Sequence, residues 1–166
     1  MDKKSVHQFT VQKMNGEVVS LKDFENKVLL IVNTASDCGF TSQLKDLESL
    51  RNEFPREDFE ILAFPSNDFG GQEPLDGDEI GKFCEINYDT HFPIFDKIRV
   101  RGSYAHPLFQ FLADKKQNGT VSTAPRWNFH KYLVNRNGEV MDFFYPFTKP
   151  NSSKVKKRIS KLVQVK

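Results

Sequence analysis

Cys38 is the residue whose position in the chain most clearly suits chemistry. It lies in the segment NTASDCGFTSQL, directly after an apolar run and directly before a helix expected to begin near Thr41 or Ser42. The unpaired N–H groups and the dipole at the start of a helix favour a thiolate over a thiol. Asp37 opposes this second negative charge unless its carboxylate points into water. The alternative is that Cys38 is a small buried hydrophobic residue, since free cysteine is often buried.

Cys84 is the second cysteine, and it is predicted to lie on a helix. Ile80, Phe83 and Cys84 share one face of the helix predicted for EIGKFCEIN. Two cysteines are too few for a disulfide scaffold. In a reducing compartment we expect such a pair to be catalytic or inert rather than structural.

The spacing of the histidines and cysteines does not suit a metal site. The two cysteines are far apart and form no Cys-x-x-Cys motif. The histidines, which have no spacing typical of a ligand pair, are His7, His91, His106 and His130. We therefore expect neither a bound metal nor a bound cofactor.

Two apolar runs separated by a helical pattern predict a β-α-β unit around Cys38. The runs, residues 28–33 and the segment DFEILAFP, have strand length and no alternation, which is typical of strands buried on both faces. Helical spacing of apolar residues between them predicts a helix with one face formed by Leu44, Leu47, Leu50 and Phe54. A right-handed crossover makes the two strands parallel, so Cys38 falls beyond the carboxyl end of the first, where α/β sheets place reaction sites.

The remaining segments complete an α/β arrangement. A hairpin with a two-residue turn at Asn15-Gly16 opens the chain, and a second hairpin turns at Asn137-Gly138. Further helices are predicted for AHPLFQFLADKK and for SSKVKKRISKLVQV, the second capped by a serine. This order predicts a single domain, residues 1–166, of the thioredoxin-like class. Its central mixed sheet is flanked by helices and preceded by the extra N-terminal hairpin.

Composition and charge exclude several kinds of partner. The chain of 166 residues has 24 basic and 22 acidic side chains, and this charge of +2 gives no strong field for nucleic acid or an anionic membrane. The longest aliphatic run, residues 28–32, is too short to span a bilayer, and the N-terminus has no apolar stretch. We expect a cytoplasmic protein without stable membrane insertion. The basic segment KVKKRISKLVQVK is expected to be a solvated helix face, the alternative being a dock for an acidic partner or lipid headgroups.

Five segments of the chain follow one another in a recognisable order. They are NTASDCGFTSQL, LAFPSNDFGGQEP, FCEINYDTHFPIF, AHPLFQFL and RWNFHKYLVNRNGEV. Together, over nearly the whole chain, they resemble the glutathione peroxidase family. The resemblance implies a thioredoxin-like fold and a peroxidase reaction. It also implies that Cys38 is the peroxidatic residue and that Gln72, Trp127 and Asn128 complete the catalytic tetrad.

The residue types at these positions suit the reduction of a peroxide. A thiolate cleaves the O–O bond by attacking one oxygen, and the departing oxygen gathers negative charge that must be protonated or hydrogen-bonded. The Gln72 and Asn128 amides and the Trp127 indole N–H are donors that deprotonation does not remove. Taken singly, Trp127 would more often be a core residue and Gln72 an ordinary residue of a loop, which Asn67 would buttress.

Cys84 matches the resolving cysteine of the thioredoxin-dependent branch of the family. After attack, the Cys38 sulfenic acid must return to the thiol before a second peroxide drives it to the sulfinic acid, and a disulfide with Cys84 gives that protection. A disulfide needs Cα atoms within about 7 Å, so we expect the Cys84 helix to unwind locally. Thioredoxin is then the expected reductant and glutathione the weaker one. The alternative is an inert buried thiol.

Two departures from the family pattern bear on this assignment. Many two-cysteine relatives carry a further cysteine in FPCNQF, where this chain has Ser66 and Asp68, and that loss weakens the match little. The route from Val100 to Trp127 lacks the longer insertion of tetrameric glutathione-using relatives. Its shortness favours a monomer with an open site, which would admit lipid hydroperoxides as well as hydrogen peroxide.

Three other functions remain open from the residues alone. One is a one-cysteine peroxidase that uses glutathione and leaves Cys84 inert. Another is a non-enzymatic peroxide sensor that relays a disulfide of Cys38 and Cys84 to a partner protein. The third is a thioredoxin-like binding domain without chemistry, which requires an unreactive Cys38.

Overall fold

The structure contains a small hairpin and a central four-stranded sheet. It is a computed structural model and describes residues 4–166. Strands β1 (Thr10–Gln12) and β2 (Val18–Ser20) form the antiparallel hairpin. The central sheet has the order β4-β3-β5-β6, with β3 at Val28–Thr34, β4 at Phe59–Pro65, β5 at Lys131–Val134 and β6 at Val140–Phe144. β3 and β4 are parallel and the other two pairs are antiparallel, which confirms the predicted mixed sheet.

Helices cover both faces of the central sheet. They are α1 (Gln43–Arg51), α2 (Asp78–Tyr88), α3 (Pro107–Ala113), α4 (Lys115–Asn118) and α5 (Ser153–Gln164), and short 3-10 helices lie at Val6–Gln8 and Leu21–Phe24. Successive β3 side chains point to opposite faces and so enter two different cores. The core that contains α1, α2 and α5 takes Val28, Leu30 and Val32. The core that contains α3 and the hairpin takes Leu29 and Ile31.

The turn of the N-terminal hairpin differs from the predicted two-residue turn. Gly16 has a left-handed backbone, with φ +88°, but Asn15 does not. The Gly16 N–H donates to the Lys13 carbonyl at 2.9 Å, and the Lys13 N–H donates to the Glu17 carbonyl at 2.8 Å. These bonds make the connection longer than two residues. A two-residue Asn-Gly turn needs a left-handed backbone at both residues, and only Gly16 has one.

Two predicted helices differ from the observed ones at their ends. α1 begins at Gln43, slightly later than predicted, and Phe54 lies beyond its end while still packing on the same core. The segment AHPLFQFLADKK forms α3 and α4 instead of one helix. The helix is interrupted because the Asp114 carboxylate accepts a hydrogen bond from the Lys116 N–H at 3.0 Å and so caps a new helix.

His130 is a buried ring directly before β5. It is fully buried, and its ring centroid lies 5.2, 5.8 and 6.1 Å from those of Tyr132, Phe143 and Tyr145. Burial, assisted by the neighbouring positive charges of Lys131 and Arg126, lowers the pKa of His130 to about 4. The folded protein therefore holds this imidazole neutral at pH values where an exposed histidine is charged.

We expect His130→Phe to reduce the acid sensitivity of the protein. The unfolded chain binds a proton at His130 as the pH falls through 6.5, whereas the folded chain does so only near pH 4. The unfolded state is the more protonated one in that window, so the free energy of unfolding falls with falling pH, by up to about 3 kcal/mol. Urea unfolding at several pH values between 4 and 7 measures this slope.

The free energy of unfolding of His130→Phe should still fall with falling pH, but less steeply than that of the parent. Burial also lowers the pKa values of His7 and His106, which therefore contribute in the same direction. A variant whose stability falls as steeply as that of the parent would contradict the assignment to His130.

Candidate active site

The turn that carries Cys38 is closed by a threonine. The Cys38 N–H donates to Thr41 Oγ1 at 2.9 Å, and the Thr41 hydroxyl donates to the Ala35 carbonyl at 3.0 Å. Thr41 is buried, so water does not compete for these bonds. Thr41 is not among the residues predicted from the sequence. The sequence feature that could have identified Thr41 is its position three residues after Cys38, which suits a local hydrogen bond between its side chain and the backbone.

The Cys38 sulfur accepts from the backbone of its own turn rather than from the start of a helix. The Phe40 N–H donates to Cys38 Sγ at 3.4 Å, while α1 begins only at Gln43. Asp37, directly before Cys38, is exposed to water. Cys38 itself is half-buried and packs against the core that contains Cys84.

The loop after β4 brings Gln72 to the Cys38 turn. The Asp37 N–H donates to the Gln72 carbonyl at 2.8 Å, so the two segments are joined directly beside the cysteine. Gly70 and Gly71 have φ values of +65° and +64°, which only glycine adopts without strain. The two glycines therefore allow the loop to reverse immediately before Gln72.

Asn128 contacts the Gln72 side chain from inside the protein. Its Nδ2 donates to Gln72 Oε1 at 3.0 Å, and Asn128 is fully buried. Because its oxygen is occupied, the Gln72 amide keeps its NH₂ group for another acceptor. Asn128 Oδ1 is buried and has no hydrogen-bond partner within residues 4–166. The structure thus brings together two of the predicted site residues, and Asn128 fixes the orientation of Gln72.

Trp127 lies between the core and the Gln72 loop. Its ring is half-buried and lies 5.6 Å from the Phe69 ring, between centroids. A Cβ placed on Gly70 would be 3.4 Å from Trp127 Cη2, so the loop backbone packs directly on the indole. The Trp127 carbonyl accepts from Asn33 Nδ2 at 3.0 Å, which anchors this segment to β3.

Lys131 holds the segment after Trp127 and Asn128 in place. It is fully buried, and its Nζ donates to the carbonyls of Phe129, Pro146 and Tyr145 at 2.6, 3.3 and 3.4 Å. Burial lowers the pKa of Lys131 to about 7. These bonds tie the beginning of β5 to the chain that follows β6.

Glu73 is a buried carboxyl group that connects the Gln72 loop to the Cys38 turn. Its Oε1 accepts from the Ser36 hydroxyl at 2.9 Å, and its N–H donates to Asn67 Oδ1 at 2.9 Å. The second bond confirms the predicted buttress of the loop by Asn67. Burial raises the pKa of Glu73. Glu73 was not predicted as a site residue. The only indication of its role in the sequence is its place beside Gln72 in GGQEP.

Cys84 lies on α2 with its thiol inside the core. It is 3% exposed and shares the buried face of the helix with Ile80, which confirms its predicted apolar side. Burial, assisted by the negative charge of Glu73, raises the pKa of Cys84 to about 12. Its thiol therefore stays protonated while α2 is folded. Cys38 and Cys84 are both free thiols.

Two further features of the chain concern metals and membranes. Within residues 4–166, no group of three or more histidine, cysteine, aspartate or glutamate side chains is placed to hold a metal ion. Across the same residues, no helix combines the length and the apolar character needed to cross a bilayer.

We expect Thr41→Val to destabilise the protein, because it leaves the Cys38 N–H and the Ala35 carbonyl buried without a partner. The expected loss in the free energy of unfolding is about 1–3 kcal/mol. Urea unfolding measures it, and Thr41→Ser, which keeps the hydroxyl, is the matched control. Equal stabilities of the valine and serine variants would show that the two hydrogen bonds contribute nothing.

The sequence and the fold both have close counterparts among known proteins. A family model described as glutathione peroxidase matches residues 6–113. The protein named glutathione peroxidase homolog BsaA from Halalkalibacterium halodurans is 45% identical over 159 residues, which cover 96% of this chain and 99% of that protein. The hydroperoxy fatty acid reductase gpx1 of Synechocystis is 43% identical over 152 residues, covering 89% of this chain and 90% of that protein.

The likeness extends to a solved structure. The crystal structure of Trgpx in apo form has a TM-score of 0.75 and 35% identity, covering 96% of this chain and 95% of that chain. The two folds thus agree over almost the full length of this chain, as the sequences of the relatives do. The chain therefore belongs to the glutathione peroxidase family, in its non-selenium form, and is a peroxidase.

Proposed function

We propose that the chain is a two-cysteine thiol peroxidase that acts as a monomer of one domain. Cys38 attacks the hydroperoxide, Cys84 forms a disulfide with Cys38, and thioredoxin reopens that disulfide. The observation that carries the proposal is the 3.0 Å hydrogen bond from Asn128 Nδ2 to Gln72 Oε1, together with the bond that the Asp37 N–H donates to the Gln72 backbone carbonyl. One bonded unit then contains two tetrad residues and the direct neighbour of the candidate nucleophile.

In the first step the Cys38 thiolate attacks one oxygen of the hydroperoxide. An S–O bond forms and the O–O bond breaks, so Cys38 becomes a sulfenic acid, and the departing oxygen takes up a proton and leaves as an alcohol or water. The Gln72 NH₂ group and the Trp127 indole N–H are the donors that stabilise the charge on the departing oxygen. Asn128 is a positioning residue, because it is fully buried and acts through Gln72.

In the second step the Cys84 sulfur attacks the sulfenic sulfur of Cys38. An S–S bond forms and the S–O bond breaks, and the thiol proton leaves with the hydroxide as water. Because Cys84 is 3% exposed and its pKa is raised to about 12, α2 must open before this attack. Opening brings the thiol into water, which removes the cause of the raised pKa. Cys38 packs on the same core as Cys84, which supports closure of the pair once α2 has opened.

The third step and the substrate follow from the same chemistry. A disulfide between Cys38 and Cys84 is reduced by a dithiol of low potential, which is the chemistry of thioredoxin. The relative named hydroperoxy fatty acid reductase supports organic hydroperoxides, beside hydrogen peroxide, as substrates of this chain.

The burial of Cys84 favours a second candidate, a one-cysteine cycle with glutathione. In that cycle α2 stays folded, and an external thiol attacks the sulfenic acid of the half-buried Cys38. The S–O bond breaks as a mixed disulfide forms and water leaves, and a second external thiol then attacks the external sulfur, releasing Cys38 as a thiol and an external disulfide as product.

We expect Cys38→Ser to abolish peroxide consumption and Cys84→Ser to keep only the first turnover. The reason is that Cys38 forms the sulfenic acid, whereas Cys84 is needed only to return it to a form that thioredoxin reduces. Rapid-mixing measurements of the first turnover, combined with a thioredoxin-coupled assay of steady turnover, separate the two steps. Steady activity without Cys38 would refute the proposal.

We also expect one equivalent of hydrogen peroxide to remove both thiols of the reduced protein without forming a dimer. Closure of an intramolecular disulfide consumes Cys38 and Cys84 together. A thiol count under denaturing conditions, with no other thiol present, measures this, and Cys84→Ser is the control that should lose one thiol. Loss of a single thiol from the parent, with steady turnover on glutathione, would instead support the one-cysteine cycle.

A further inference from the structure

The tip of the N-terminal hairpin rests on the helix that carries Cys84. A Cβ placed on Gly81 of α2 would lie 2.7 Å from Met14 Cε and 3.6 Å from Met14 Sδ. The end of the Met14 side chain therefore occupies the space that a side chain at residue 81 would need. Gly81 and Cys84 are three positions apart, which puts them on neighbouring turns of one helix face.

Met14 is held by a part of the protein that is itself fixed. The Asp96 N–H donates to the Gln12 carbonyl at 2.9 Å, and Lys13 forms an antiparallel bridge with Phe95. Phe95 is buried and its ring stacks on Phe64 of β4, with 4.9 Å between centroids. The contact with Gly81 is thus made from a scaffold joined to the central sheet.

Apart from this contact α2 buries little of its surface, because Phe83 and Tyr88 pack only partly against the core. Its buried residues are Ile80 and Cys84, while Ile86 is 80% exposed. Gly77 at its N-cap gives no side-chain hydrogen bond, and Asp89 at its C-cap has φ +52°, a conformation that glycine adopts more readily than aspartate. Gly81 in the interior further lowers its helix propensity. The loss of one packing contact is therefore expected to change how often this helix opens.

We propose that Met14 is a positioning residue that holds α2 closed and so sets the rate at which Cys84 becomes accessible. The inference rests on the proposed function in one respect: opening of α2 affects catalysis only if Cys84 forms the disulfide with Cys38. The contact itself is a property of the folded chain. Its effect on accessibility is measured without any peroxide.

The first experiment measures alkylation of Cys84 by iodoacetamide in the native protein, in a Cys38→Ser background where Cys84 is the one thiol. Met14→Ala should raise the labelling rate about fivefold, as expected for the loss of a partly buried contact. Met14→Leu, which refills the space, should restore the parent rate. Val18→Ala, an exposed position in the same hairpin, is the control and should change nothing.

Gly81→Ala gives a test in the opposite direction. The new methyl meets only the flexible end of Met14, and alanine favours the helix, so labelling should slow about threefold. Urea unfolding of each variant separates local from global effects. Two results would overturn the proposal. One is a labelling rate in Met14→Ala equal to the parent rate, and the other is a rise in the labelling rate that the loss of global stability in Met14→Ala fully explains.

A final measurement separates this inference from the proposed function. With Cys38 present, Met14→Ala should speed disulfide formation after hydrogen peroxide and leave the first turnover unchanged. If the labelling rates change as expected but no disulfide forms in any variant, Met14 holds α2 closed and the resolving role of Cys84 is wrong. If the disulfide forms at the same rate in all variants, Met14 does not control the step and the proposed function stands.

Discussion

The pairing of β3 on both of its edges is the constraint on which the rest of the structure depends. All seven of its residues are buried, with β4 parallel on one side and β5 antiparallel on the other. The carboxyl ends of β3 and β4 and the amino end of β5 therefore meet at one end of the sheet. That end receives the Cys38 turn, the Gln72 loop and the Trp127–Asn128 segment, which are distant in sequence.

The elements of this sheet could be predicted because each is encoded locally. The continuous apolar runs of β3 and β4 and the spacing of Leu44, Leu47 and Leu50 in α1 leave few alternatives. The hairpins were predictable from their glycines, but the Asn15-Gly16 turn was assigned the wrong length, because local sequence does not show which residue takes the left-handed backbone.

The candidate site was predictable as residue types but not as a network. Cys38 was singled out by its position between a strand and a helix, and Gln72, Trp127 and Asn128 by a family resemblance, whereas Thr41 and Glu73 were missed as site residues. The bond from Thr41 to Ala35 depends on how the Cys38 turn closes, and the bond from Ser36 to Glu73 exists only once two distant segments are folded against each other. Burial also distinguishes Asn128 from Gln72, although both side chains carry the same amide: Asn128 is fully buried and donates to Gln72, which is half-buried.

The two cysteines are carried by separable parts of the fold. The Cys38 turn and its bonded partners belong to the ends of the central strands, whereas Cys84 belongs to a surface helix with two buried residues, Ile80 and Cys84 itself. A change on α2 can therefore alter or remove the second thiol without disturbing the bonds among Asp37, Gln72 and Asn128. The two thiols can therefore be engineered independently, since substitutions in α2 act on Cys84 and leave the bonded end of the sheet in place.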